Sequence, residues 1–200
     1  QGTKVAQFAH RARVRALPAT EVVLAKRVTH LPAPVQRDTP VMAFTPGTPA
    51  INYFPLPLWR RLMDNVLRDE GSALLGYGEA AGDPLLREAI ARHLALSRGI
   101  RCDIRQIVIT EGALEGVNLC ASLLTDPGDS VWVEEPGYLG ARSSFQRAGL
   151  RVSGMAVDDE GMGIANGVAE PPRLIFTSPS HQYPLGSVMS AARRLALVEY

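Results

Sequence analysis

Apolar residues recur at helical spacing from Leu58 onward, through Trp59, Leu62, Met63, Val66 and Leu67, and the pattern stops near Gly71. A helix is predicted there. Tyr77 to Gly82 is a turn-rich loop, and Asp83-Pro84 after it supplies a capping carboxylate and a proline suited to a first helical position. The helix they open carries Leu86, Ile90 and Leu94 and ends at Ser97-Arg-Gly99. Beyond Gln106, short β-branched runs alternate with helical patterns. Strands are predicted at Ile107 to Thr110, Val131 to Val133, Leu150 to Val157 and Leu174 to Thr177. Helices are predicted over Gly112 to Leu124, from Pro136-Gly137 to about Ala148 with Gly149 capping its end, and from Ser190 into Tyr200. Asp126-Pro-Gly-Asp129 and Asp158 to Gly163 read as turns. This alternation predicts an α/β domain with a mostly parallel sheet and helices on both faces.

In such sheets ligands bind beyond the carboxyl ends of the strands. The residues there are Glu111 to Leu114, Glu134 to Tyr138 and Ser178 to Gly186. The first group is a strand running into a helix start, whose unpartnered N–H groups lie at the positive end of the helix dipole and form a socket for phosphate. Any strand-to-helix crossover shares that feature, so its neighbours decide. Tyr138 adds a flat aromatic, and Ser178-Pro-Ser-His-Gln-Tyr-Pro-Leu-Gly186 a polar, proline-stiffened turn. Together they suit a planar phosphorylated ring.

The chain has 200 residues, 46% of them hydrophobic, enough for one sizeable domain. The stretch to about Pro40 is basic, interrupted by Pro18, Pro32, Pro34 and Pro40, and reads as a linker. Lys4, Arg11, Arg13, Arg15, Lys26, Arg27 and Arg37 face only Glu21 before Asp38, although the net charge of the whole chain is only +1. A basic arm of this kind fits either a solvated linker or proximity to nucleic acid. No apolar run approaches the roughly 20 residues of a spanning helix, and nothing resembles a signal peptide, so a soluble cytoplasmic protein is expected. Gln1 is not an initiator residue, and Tyr200 falls inside a helical pattern, which reads as a fragment.

Other groups carry less. Cys102 and Cys120 lack metal-type spacing and are expected to be reduced, Cys120 as a small core residue. His10, His30 and His93 have no partners at metal spacing, so no metal site is expected. Ser180 beside His181 lacks any G-x-S-x-G elbow. Glu134 and Glu135 point to opposite sides of a strand end, one expected in solvent and the other holding a loop amide. Trp59 and Trp132 are expected in the core.

The ordered loops resemble the fold type I pyridoxal-phosphate enzymes of the class I/II aminotransferase group, and more narrowly the MocR branch of the GntR transcriptional regulators. The resemblance rests on Tyr77-x4-Gly82-x3-Leu86-Arg87, Arg98-Gly99-Ile100, Ile109-Thr-Glu-Gly-Ala113, Asp126-Pro-Gly-Asp129, Glu134-Glu-Pro-Gly-Tyr138 and Thr177 to Gly186. The last is the most specific, since Ser-His-Gln-aromatic-Pro-x-Gly is typical of the regulators where ordinary aminotransferases carry Asn-Pro-x-Gly. The resemblance covers residues 41–200, and it implies the N-terminal portion of a pyridoxal-phosphate-binding large domain. Residues 1–40 would then be the linker after an upstream winged helix-turn-helix, with Gly2 to Val5 similar to its last wing strand.

By matching position, the resemblance implies that main-chain amides of Gly112, Ala113 and Leu114 hold the cofactor phosphate and that Tyr138 stacks on the pyridine ring. Tyr77 would reach the phosphate of the other subunit in a homodimer. Tyr183 falls where the enzymes place an asparagine bonded to the ring hydroxyl, with His181 and Gln182 as alternatives. The only lysines are Lys4 and Lys26, ahead of every cofactor loop. The Schiff-base amine and the carboxylate partner of the pyridine nitrogen follow the Ser178 loop in the family, past Tyr200, and arginine cannot replace the lysine. No catalytic residue is therefore assigned, and the 200 residues alone are expected to be inactive and poorly folded. The implied function is an effector domain sensing pyridoxal phosphate or an amino-acid or amine adduct of it, with DNA bound by the upstream domain. A true aminotransferase is the alternative, and a nucleotide-binding α/β domain lacks both G-x-G-x-x-G and a Walker loop.

Overall fold

A computed structural model of the chain describes residues 47–164 and 171–200, together with positions 25, 26, 29 and 31. The basic arm, the wing-like Gly2 to Val5 and the boundary near residue 41 thus lie outside the described residues, four positions of the arm excepted.

Helix α1 spans Leu56–Glu70, two residues earlier than the apolar pattern indicates, because Pro57 is accommodated in its first turn, where no N–H is needed. Helix α2 spans Pro84–Arg98. The Asp83 side chain accepts from the Leu86 N–H at 2.8 Å, Pro84 takes the first position, and Gly99 closes the far end. Helix α3 spans Ala113–Leu124 and α4 spans Leu139–Arg147. Helix α5 spans Ala191–Glu199, with the Ser190 hydroxyl accepting from the Arg193 N–H.

Strands β1 (Ser130–Glu135), β2 (Arg151–Asp158), β3 (Gly161–Met162) and β4 (Leu174–Phe176) form one sheet in the order β3-β2-β1-β4. Pairing is parallel between β1 and β2 (Val131 opposite Val152) and between β1 and β4 (Val131 opposite Leu174), and antiparallel between β2 and β3. The expected turn at Asp158 to Gly163 thus contains a short return strand.

β1 is the axis of the domain. Val131 and Val133 face one way, into a core with Ala121 of α3, Ala141 and Phe145 of α4, and Leu150. Trp132 faces the other way, 1% exposed, its ring centroid 5.1 Å from that of Tyr200 after α5. The period-2 alternation of a strand covered on both faces explains why one run buries residues on either side.

Three expectations are corrected. Ile107 to Thr110 is extended but is not a strand of any sheet among the described residues. The Ile109 N–H instead donates to the Ala81 carbonyl at 2.9 Å, so the tyrosine loop, not a strand, lies alongside. Trp59 is exposed on α1, whose apolar residues Leu62, Met63, Val66 and Leu67 join it and Leu74 around an open apolar hollow of about 330 Å³. Cys120 is exposed as well, because the stripe of α3 that meets the core runs through Val117 and Ala121. Both cysteines are free.

Candidate functional site

The site begins where α3 begins. Gly112, its N-cap, has φ 155° and ψ 179°, a conformation open essentially to glycine alone. The Gly116 N–H bonds back to the Gly112 carbonyl, so helix geometry directs the earlier N–H groups of Ala113 and Leu114 out of the helix end. The Glu115 carboxylate reaches back to the Glu111 N–H and braces the turn from outside.

The second part follows β1. The chain leaves the sheet through Glu135-Pro136-Gly137 and presents Tyr138 as the N-cap of α4. Tyr138 folds back over Gly140. A methyl group on Gly140 would lie 2.7 Å from Tyr138 Cζ and 2.8 Å from both Tyr138 Oη and Leu114 Cδ2. The missing side chain therefore makes the room in which the tyrosine ring and the first turn of α3 meet. The Tyr138 ring also faces Phe176 at the end of β4, 6.4 Å away and tilted by 31°. It remains 37% exposed, so part of the ring is open to a ligand.

The third part is the loop after β4. Tyr183 stands edge-on to Tyr138, ring centroids 6.3 Å apart at 86°. The loop is held from below by Glu134, which is 2% exposed. Glu134 Oε1 accepts from Thr177 Oγ1 at 2.6 Å and from the Ser178 N–H at 2.8 Å. Its Oε2 accepts from Gln182 Nε2 at 3.1 Å. Gln182 Nε2 lies 2.8 Å from the carbonyls of Pro136 and Tyr183 as well, and Gln182 Oε1 accepts from the Leu185 N–H at 3.0 Å. Gln182 is thus fully engaged inside the protein, and His181 is exposed. On the far side, Arg194 of α5 donates to the Pro179 and Met189 carbonyls at 2.6 and 3.0 Å.

Leu114 and Tyr183 thus each lie beside Tyr138, and Gly112 and Ala113 stand at the N-terminal end of α3. Tyr77 is apart from them and fully exposed on its loop. That loop is anchored by buried Arg87, which donates to the Gly82 and Ile104 carbonyls and pairs with Glu79. The division expected for the two glutamates is present: Glu134 holds the Ser178 amide, and exposed Glu135 pairs with Arg142. Sequence reasoning did not single out Gly140, Phe176 or the Glu134–Gln182 contact. Gly140 carried a signal, since a glycine in the first turn of a helix asks for a packing reason. The other two needed the pairing of β1 with β4.

Outward amides at a helix start, a half-open ring face and an edge-on phenol fit a flat ring with an anionic tail. Among the described residues no His/Cys/Asp/Glu cluster could hold a metal, and no helix is long and apolar enough to cross a membrane. Residues 47–192 match the family model for aminotransferase class I and II. The chain belongs to that family.

The relatives divide into two kinds. The probable rhizopine catabolism regulatory protein MocR of Rhizobium meliloti is 39% identical over 158 residues, covering 79% of this chain and 32% of that protein. The HTH-type transcriptional regulator TauR of Rhodobacter capsulatus is 39% identical over 116 residues, 58% of this chain and 24% of TauR. The chain thus spans a third or less of the length of these two relatives. Among solved structures, the kynurenine aminotransferase of Pyrococcus horikoshii, in complex with PMP, superposes with a TM-score of 0.68 at 28% identity, covering 76% of this chain and 40% of that one. LysN of Thermus thermophilus, an α-aminoadipate aminotransferase complexed with N-(5'-phosphopyridoxyl)-L-leucine, gives 0.67 at 27%, covering 78% and 40%. The family's aminotransferase-like fold and its regulator relatives agree with the resemblance read from the loops.

Proposed function

We propose that this chain forms part of a pyridoxal-phosphate-binding, aminotransferase-like effector domain of a cytoplasmic, DNA-binding transcriptional regulator. The observation that carries the reading is the meeting of Tyr138 with Leu114 at the start of α3 and with Tyr183, in a chain whose relatives MocR and TauR are named as regulators.

In this reading the N–H groups of Gly112, Ala113 and Leu114 hold the phosphate, with the helix dipole adding to the attraction. Tyr138 covers the ring face, contributing about 0.5–1.5 kcal/mol beyond the area it buries. Tyr183, with its hydroxyl uncommitted to the Glu134 network, serves the ring hydroxyl. Tyr77, exposed on its anchored loop, reaches the phosphate held by the other subunit of a homodimer. Pyridoxal phosphate, when bound, supplies an aldehyde that condenses with amines and a ring that withdraws electrons. Neither Lys4 nor Lys26 belongs to a site loop, so these residues bind and orient and none of them is assigned a covalent role. As a sensor, the domain responds to an amino acid or amine by binding one arrangement of the protein more tightly than another. DNA is contacted by a winged-helix domain preceding Gln1.

Replacing Tyr138 by Ala in the complete protein should weaken pyridoxal phosphate binding about tenfold, from the combined loss of stacking and buried ring area. Unchanged cofactor absorbance and affinity would defeat the assignment. The second reading, a working aminotransferase, draws on solved neighbours named as aminotransferases. It requires that amino acids convert the bound cofactor to its amine form with release of keto acid. A regulator binds the amino acid and changes its affinity for DNA without needing that turnover.

A further inference from the structure

We propose that Glu134 and Gln182 are a positioning pair that fixes how Tyr183 is presented beside Tyr138, and so sets recognition of the ligand's ring edge without touching the ligand. The inference rests on the functional reading above and extends it to two buried residues to which that reading gives no part in holding the ligand.

Glu134 ends the central strand with a carboxylate removed from solvent, and each of its oxygens has a definite task. Oε1 pins the start of the loop through Thr177 and Ser178, and Oε2 faces Gln182. Since a carboxylate only accepts, the residue opposite Oε2 must donate, and Gln182 does so through its amide nitrogen. The same nitrogen reaches the Pro136 carbonyl, two residues before Tyr138, and the carbonyl of Tyr183 itself. The two stretches that carry the tyrosines are thereby joined through one buried side chain. The Gly186 N–H closes the loop on the Gln182 carbonyl at 2.7 Å, and the Leu185 N–H on its side chain, so Tyr183 hangs from a frame whose register Gln182 defines. A glutamine whose polar atoms were free to reach a ligand would not be 4% exposed with its donors and acceptor spent internally.

The test uses the complete protein and two variants. Glu134→Gln keeps the shape but sets an amide where Oε2 accepts. Gln182→Met keeps the volume and removes the donors. Pyridoxal phosphate affinity, the visible circular dichroism of the bound ring, and affinity for inorganic phosphate are measured for each, with hydrogen exchange of the Ser178 and Leu185 amides in ligand-free protein. We expect about tenfold weaker pyridoxal phosphate binding, an altered dichroic band, faster exchange at Leu185, and unchanged binding of inorganic phosphate. The proposal is overturned if ring affinity and dichroism match wild type, or if pyridoxal phosphate and inorganic phosphate weaken together, as general unfolding would cause. Should Glu134→Gln fail to fold, Gln182→Met decides the matter by the same measurements. Wild-type protein that takes up no pyridoxal phosphate sinks the functional reading, and the pair then stands or falls on exchange at Leu185.

Discussion

Gly112 illustrates what one residue can be asked to do. Nothing lies within 4 Å of the position a Cβ would take, so space is not what excludes a side chain there. The backbone itself does, since φ 155° with ψ 179° belongs to a region that L-residues enter only at a cost. Gly112→Ala should therefore lower stability by about 1–3 kcal/mol in denaturant titrations, and weaken phosphate-end binding as the amides of Ala113 and Leu114 turn. If stability and binding both hold, the N-cap is not strained and the socket is not built as described. Gly140 is the opposite case, where the backbone is helical and the missing methyl makes way for the Tyr138 ring. The sequence shows both as glycines in a strand-to-helix setting, and only the built chain tells the two requirements apart.

At the scale of elements, α5 is tied to the β2–β3 hairpin by one arginine. Arg193 donates to Asp158 at 3.0 Å and to the Met162 carbonyl at 2.9 Å, and lies 3.5 Å from Glu160. The Arg193 hydrogen bond, with the Glu160 N–H beside it, holds the Asp158 carboxyl below the ordinary carboxylate range. A carboxylate whose pKa is depressed by folding stabilises the native state above its unfolded value, and that contribution vanishes as pH falls through the folded value. Wild type should thus exceed Asp158→Asn in stability near neutral pH, with the two curves converging in acid. Thermal melts across pH that stay parallel would show that the contact carries no linkage. The hairpin belongs to what sequence pattern reads poorly, because Gly161–Met162 is two residues long and pairs only once β2 is in place. Ile107 to Thr110 is the converse: β-branched residues make it extended, but a strand is completed by a neighbour, and its neighbour is the Ala81 loop.

Across the whole molecule, the described residues leave a good deal of apolar surface uncovered. α1 buries none of its residues, and its stripe from Trp59 to Leu67 opens to solvent around the 330 Å³ hollow. A contiguous patch of this kind marks a surface that packs against something in the working protein or aggregates without it. Residues 47–200 expressed alone should bind a hydrophobic dye strongly and elute as large, heterogeneous oligomers, whereas the complete protein should bind little dye and elute as a defined dimer. A dye-silent monomer with a sharp thermal transition would contradict this. It also accounts for the misplacement of Trp59, since periodicity reports that a face is apolar and is silent on what covers it.

The chain's own order of residues determined its helices and their caps, because those depend on neighbours within a turn or two: Asp83 caps α2 whatever else folds. It also determined the family, since the loops at the strand ends carry its motifs in order. Tertiary structure alone decided that Glu134 and Gln182 lie together across 48 positions of chain, that Phe176 joins the Tyr138 ring, and that Cys120 and Trp59 face outward. Which groups meet across a sheet, and which faces find a partner, is fixed by strand order and packing, and no local interaction along the chain specifies either.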